Sequence, residues 1–248
     1  MGILERLYLH PTPPARVERN QDKRQKKFKK KWIEVDRYIA QRLGPSDPVL
    51  DMALKAREAA GLPDINVSPN QGKLLMLLAQ TIGAHTILEI GTLAGYSTIW
   101  LARALAPGGR LITLEAKPRY AKIALANIAH AGLSNRVDLR LGRALDSLPA
   151  LSAEGPFDFV FVDADHENMP EYFQWALKLS RRGSLIVVDN VVRRGTVLHA
   201  GASKPEIQGI RRFYDLVAAE PKVSMTAIQT VGVKGHDGFA IGLVTADP

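Results

Sequence analysis

The stretch Ile87–Leu105, ILEIGTLAGYSTIWLARAL, decides the fold. An apolar run, Ile87–Ile90, meets Gly91; a turn containing Gly95 follows, and the chain then takes helical spacing from Tyr96. Strand, glycine turn and helix in that order form the repeating unit of an open α/β sheet, whose ligands bind outside the carboxyl ends of the strands. Gly91 and Gly95 let backbone approach a ligand with no Cβ in the way. Their spacing is G-x-x-x-G, so the dinucleotide fingerprint G-x-G-x-x-G is absent. Glu115 ends the next strand, 24 residues after Gly91, and is placed as an acid that pairs with two ribose hydroxyls. The plainer alternative is two turn glycines beside an exposed acid. Glu89 weighs against it, because a carboxylate inside an apolar strand seldom stands unpaired.

Outward from this unit, strands and helices alternate. Strands are expected at Thr86–Ile90, Arg110–Glu115, Val137–Leu141, Phe157–Val162 and Ser184–Val188. Helices are expected at Tyr96–Leu105, Pro118–Ala131, Met169–Leu179 and Pro205–Ala219, with a short piece near Ala144–Leu151. The runs FDFVFV and SLIVV are continuously apolar, as strands covered on both faces are. A doubly wound, mostly parallel α/β sheet with helices on both faces follows. Val223–Val231 and Phe239–Val244, separated by a glycine-rich turn, read as a C-terminal antiparallel hairpin at the sheet edge. Before the first strand, Trp32, Val35, Ile39 and Leu43 have helical spacing up to Gly44-Pro45, and a second helix is expected around Pro48–Ala60.

The chain of 248 residues is 46% hydrophobic and carries a net charge of +8. Residues 1–31 hold ten Lys/Arg against three acids, whereas the remaining 217 hold 23 against 22. The positive charge therefore belongs to the N-terminal segment. Residues 1–31 are expected to form a basic, partly disordered extension, and residues 32–248 one domain that begins with helices. There is no cysteine, which excludes disulfides, thiolate nucleophiles and cysteine-ligated metals; any metal is held by oxygen or imidazole. No run approaches the ~18 apolar residues of a membrane helix and no signal-peptide core is seen, so a soluble, cytoplasmic protein with no membrane partner is expected.

Two strands end in acids. FDFVFVDADHEN gives Asp163, Asp165 and His166; SLIVVDNVV gives Asp189 and Asn190. Both ends lie on the carboxyl edge of one sheet, so Asp163, Asp189 and Asn190 are expected to converge. Two carboxylates and an amide oxygen are a hard donor set, suited to Mg²⁺, Mn²⁺ or Ca²⁺ and poor for zinc. Each pair taken alone also fits turn or capping chemistry. Their recurrence beside a glycine loop favours a site.

From about Val67 to Val244 the chain resembles the cation-dependent O-methyltransferases related to catechol and caffeoyl-coenzyme A O-methyltransferases. The resemblance rests on VSPNQGKLL, ILEIGTLAGYST, Glu115, GRALDSLP, FDFVFVDADHEN and LIVVDNVVRRGTV. It implies a Rossmann-like class I methyltransferase fold and an S-adenosylmethionine cofactor that touches Val67, Glu89, Gly91, Thr92, Ser97, Glu115 and Ala144. It implies that Asp163, Asp189 and Asn190 hold the cation, with Asp163 also near the cofactor's amino group. Asn190 and Arg194, in the stretch after the Asp-Asn pair, are implied to meet a small aromatic acceptor with vicinal hydroxyls. A homodimer is implied as well. The chain departs from the family pattern at His166, where a lysine is usual, and at Met169, where many members have tyrosine.

His166 is the candidate general base, together with Asp163 in the catalytic set, because a neutral imidazole near pH 7 needs no large pKa depression. The alternative is a solvent-facing loop histidine. An RNA-directed methyltransferase, using the basic segment to bind its substrate, is the competing function; the near-neutral domain and the lack of an RNA-binding module speak against it.

Overall fold

The computed structural model describes residues 15–44, 47–199 and 201–248, with backbone alone for 15–26. Its centre is a seven-stranded sheet of order β3-β2-β1-β4-β5-β7-β6. Strands β1 (Thr86–Ile90), β2 (Arg110–Glu115), β3 (Val137–Leu141), β4 (Phe157–Val162) and β5 (Ser180–Asp189) run parallel. β7 (Gly235–Val244) lies antiparallel between β5 and the edge strand β6 (Val223–Gly232). The order reverses at β1, where crossovers change sides and a crevice opens at the carboxyl edge.

Side-chain alternation along each strand divides the interior into two cores. Leu88 and Ile90 face α7 (Met169–Lys178) and α8 (Pro205–Ala219), where they pack with Phe173, Ile210 and Phe213. Ile87 faces the other layer: α2 (Pro48–Ala59), α3 (Pro69–Thr81), α4 (Tyr96–Ala104) and α5 (Pro118–His130), with Leu75, Ile99 and Ile128. A single turn, α6 (Ala144–Ser147), follows β3. Among the described residues no helix is long and apolar enough to cross a membrane.

Four local readings are corrected. The helix expected from Trp32 begins at Ala15, as α1 (Ala15–Leu43); residues 1–14 lie outside the described residues. No glycine or proline interrupts Ala15–Leu43, and Lys, Arg, Gln and Glu are good helix formers, so a run of like charge does not stop the helix. α3 was not anticipated, although Ser68 caps it by accepting from Gln71 N–H at 3.2 Å and Pro69 opens it. β5 begins at Ser180, which pairs with Phe157 ahead of a register shift. The hairpin turn is Val233-Lys234, and Gly235–Gly238 belong to β7. Gly238 serves close packing instead of the turn: a Cβ there would lie 2.5 Å from the Ile228 carbonyl oxygen and 2.7 Å from a Val192 methyl.

Candidate functional site

The carboxyl edge brings together the ends of β1, β2, β4 and β5. Gly91 follows β1 with φ +99°. A Cβ there would lie 2.1 Å from the Asp163 carbonyl oxygen, so only glycine lets the β1 and β4 ends approach this closely. The approach is fixed by Asp163 N–H donating to the Ile90 carbonyl at 2.9 Å, and by Gly91 N–H donating to Leu114 at 3.0 Å. Gly95, left-handed at φ +80°, opens α4 with no side-chain cap. First-turn N–H groups without a capping side chain suit an anionic ligand group.

Glu115 is buried, not the exposed acid of the plainer reading. Its Oε2 accepts from Leu93 N–H at 2.8 Å and its Oε1 from Lys117 N–H at 2.9 Å. Each carboxylate oxygen retains a second lone pair for a hydroxyl. Glu89 is 0% exposed and faces α4. Ser97 donates to its Oε1 at 2.6 Å; Thr98 and Thr113 donate to its Oε2 at 2.5 and 2.7 Å. Burial pushes the Glu89 carboxyl up to about 7 against the pull of those three hydroxyls. The Thr92 hydroxyl turns inward, 2.5 Å from Thr113 Oγ1 and bonded to the Leu114 carbonyl, and the Thr92 carbonyl accepts from Gly95 N–H at 2.9 Å. Val67 is buried just before α3, and half-buried Ala144 begins α6.

Asp163 and Asp189 lie close enough for their charges to interact. Burial raises Asp163 well above the usual carboxylate range, and the charges of Asp189, Glu89 and Asp237 add to the shift. Asp189 is pushed up to about 6 by burial, against its 2.8 Å hydrogen bond from Asn190 N–H. Arg193 is the cation that eases the charge on both. A half-buried and a buried carboxylate side by side with so little compensation fit a bound cation. Among the described residues no three His, Cys, Asp or Glu side chains form a metal group; Asn190, which follows Asp189 directly, carries an amide oxygen of the same hard donor type.

His166 is partly buried at the start of a 3₁₀ turn, and its Nε2 has no hydrogen-bond partner. Burial, then Arg193, lowers its pKa below 6.5, while Asp237, Asn190 and Asp165 pull it back. The turn is held from two sides. Asp165 accepts from Tyr172 Oη and Asn168 Nδ2, each at 2.5 Å, and α8 packs so tightly that a Cβ on Gly209 would lie 2.0 Å from the His166 carbonyl oxygen. Met169 is buried in the core beneath.

A cavity of about 1040 Å³ opens beside these groups. Val67, Asp189, Asn190, Arg193 and Arg194 line it; Asp163, His166, Gly91 and Glu115 do not. Its far wall is α1 and the hairpin. Asp36 of α1 accepts from Val233 N–H at 2.9 Å and from the Asn70 amide, whose Nδ2 also donates to the Asp36 carbonyl at 3.0 Å. Lys234 at the hairpin tip reaches Asp64 at 2.6 Å. Sequence reasoning missed Asp237, whose Asp-Gly neighbourhood reads as a turn, and Gln71, which acts on Asp189 from α3.

Known proteins share this sequence and fold. The model of the O-methyltransferase family matches residues 44–238. A catechol O-methyltransferase of Niastella koreensis is 54% identical over 212 residues, which cover 85% of this chain and 96% of that one. An O-methyltransferase from Bacillus cereus, solved in complex with SAH, is 56% identical with a TM-score of 0.86, covering 87% of this chain and 99% of that one. The O-methyltransferase TomG from Streptomyces achromogenes, involved in tomaymycin synthesis and solved in complex with SAM, is 49% identical with a TM-score of 0.86, over 88% and 99% of the two chains. Sequence, fold and strand-end geometry agree: the chain belongs to the S-adenosylmethionine-dependent O-methyltransferase family.

Proposed function

We propose that this protein methylates one hydroxyl of a small, vicinal dihydroxy aromatic acceptor, with S-adenosylmethionine as donor and a divalent cation, Mg²⁺ or else Mn²⁺ or Ca²⁺, held by Asp163, Asp189 and Asn190. The observation that carries the reading is the close pair of carboxylates, half-buried Asp163 and buried Asp189, each raised by desolvation and by neighbouring acids and eased by Arg193. All-oxygen donors of this kind match hard cations. When bound, such a cation supplies Lewis acidity to an acceptor hydroxyl and orients it.

The chain's own residues do the remaining work. The Gly91 turn and the N-terminus of α4 receive the cofactor, and Glu115 accepts from its ribose. Glu89 is a brace for Ser97 and Thr98 at the first turn of α4, holding that turn against β1 and β2. Asn190 and Arg194 face the acceptor from the cavity wall. His166, neutral near pH 7 because burial lowers its pKa, takes the acceptor proton. α1 covers the acceptor cavity through Asp36, and its exposed Val35, Tyr38 and Leu43 support assembly as a homodimer.

The test is transfer from S-adenosylmethionine to 3,4-dihydroxybenzoate, caffeate, a monohydroxy analogue and transfer RNA, each after chelation and again with Mg²⁺. The expected result is Mg²⁺-dependent methylation of the diols alone. Full turnover in chelator, or methylated RNA with untouched diols, would contradict it.

A further inference from the structure

The turn that follows β5 is made of backbone that residues other than glycine rarely adopt. Asn190, Arg193 and Arg194 have φ of +62°, +50° and +58°, left-handed values that persist only where the surroundings impose them. The restraint comes from β7. Asp237 Oδ1 accepts three backbone N–H groups: Val192 at 3.1 Å, Arg193 at 2.8 Å and Gly238 at 3.0 Å. Val191 N–H donates to the Gly238 carbonyl at 3.0 Å, and the missing Cβ of Gly238 admits a Val192 methyl. Asp237 Oδ2 faces the Arg193 guanidinium at 3.9 Å. Asp237 also lines the acceptor cavity and its charge bears on Asp163 and Asp189, while its Oδ1, occupied by three backbone donors, acts on the turn.

We infer that Asp237 is the positioning residue of the Asp189–Asn190 pair: its Oδ1 ties the Val192–Arg193 backbone to β7 and so keeps Asp189 and Asn190 beside Asp163. The inference rests on reading Asp163, Asp189 and Asn190 as the cation donors. Register places Asp237 for this task, since Asp189 pairs with Phe239 and the antiparallel β7 carries Asp237 two residues further along the emerging turn. A side-chain oxygen held in place by β7 accepts these converging donors without the ordering that a bridging water would need. Without it, Val192 and Arg193 lose their side-chain acceptor, and the Asp189–Asn190 pair just before them loses its tether to β7, keeping only its own bond from Asn190 N–H to Asp189 Oδ1.

The experiment uses the full chain as wild type, Asp237→Ala and Asp237→Asn, with Asp163→Ala as reference. Three quantities are measured: Mn²⁺ affinity by calorimetry, S-adenosylmethionine affinity, and amide exchange over 190–194 in metal-free protein. Asp237→Ala is expected to weaken Mn²⁺ about 10–100-fold, as loss of a ligand-orienting partner does, and to speed exchange of the turn, with cofactor affinity unchanged. Asp237→Asn keeps an oxygen acceptor in place and is expected to stay within about threefold of wild type in Mn²⁺ affinity and exchange. Wild-type Mn²⁺ affinity and exchange in Asp237→Ala would overturn the inference. So would Asp237→Asn falling as far as Asp237→Ala, because charge and not the tether would then set affinity. If wild type binds no Mn²⁺ that Asp163→Ala removes, the cation reading fails instead, and the exchange data still decide whether Asp237 holds the turn.

Discussion

Replacing Gly91 with alanine adds one carbon where the β1 and β4 ends meet. That carbon would sit 2.1 Å from the Asp163 carbonyl oxygen and 2.8 Å from its carbonyl carbon, so the backbones must part by about 1 Å or more to reach ordinary contact. Neither atom belongs to a flexible side chain that could swing away. Overpacking of this kind costs about 1–3 kcal/mol, and forcing a non-glycine residue into φ +99° costs about 1–3 kcal/mol more. The sum, about 2–6 kcal/mol, is a large part of the ~5–15 kcal/mol that holds a domain folded. Gly83 supplies the control: its φ is +61°, yet a Cβ there meets nothing within 4 Å, so Gly83→Ala carries only the conformational cost, about 1–2 kcal/mol. Urea unfolding of both variants isolates the clash, and calorimetry with S-adenosylmethionine shows whether the parted strand ends still receive the cofactor. Unfolding free energies equal within about 0.5 kcal/mol, with wild-type cofactor affinity in Gly91→Ala, would refute the claim that this contact forms the cofactor turn.

Three further predictions follow from the same geometry. Burial holds the Glu89 carboxyl at about 7 against an ordinary 4.5, so the folded state keeps a proton that the unfolded chain releases; its contribution is fully present below about pH 4.5 and about 3 kcal/mol is lost as pH rises through about 7. Glu89→Gln is expected to flatten that decline in urea midpoints measured across the window, and parallel curves for the two proteins would argue against it. His166→Ala is expected to lower kcat about 10²-fold with His166→Lys recovering part of the loss, whereas an unchanged kcat would remove His166 from the proton transfer. A chain beginning near Lys31 is expected to keep its cofactor affinity, because Asp36, which ties α1 to Val233 and Asn70, lies beyond the cut; weakened cofactor binding would contradict this, and an acceptor KM that rises only at low salt would give the basic turns a role in capturing the acceptor.

The readable parts of the sequence were those in which one physical rule dominates. Continuous apolar strands and the glycine turn gave the parallel sheet, and parallel topology alone placed Asp163, Asp189 and Glu115 on one edge. α3 was hidden because Leu74–Ala79 is apolar all along, a pattern that cannot by itself tell a buried helix from a strand. The hairpin turn was misplaced because Gly235 and Gly238 look like turn residues, whereas Gly238 exists to admit the Ile228 backbone and Val192. Asp237 was invisible for a deeper reason: its partners Val192 and Arg193 are distant in sequence, and only the β5–β7 register brings them together. Glu89 was recognised as an acid needing partners, but the partners are the protein's own Ser97, Thr98 and Thr113, from α4 and β2.

Asp163, Asp189 and Asn190 are proposed to hold a divalent cation together, beside the cavity that takes the acceptor. The most direct measurement is the anomalous scattering of Mn²⁺ in crystals of the protein grown with S-adenosylhomocysteine. A single strong peak bounded by those three side chains, absent from crystals of Asp163→Ala, is the result expected. No peak between them, in crystals of a protein that still methylates a catechol after chelation, would rule out a cation held by these residues.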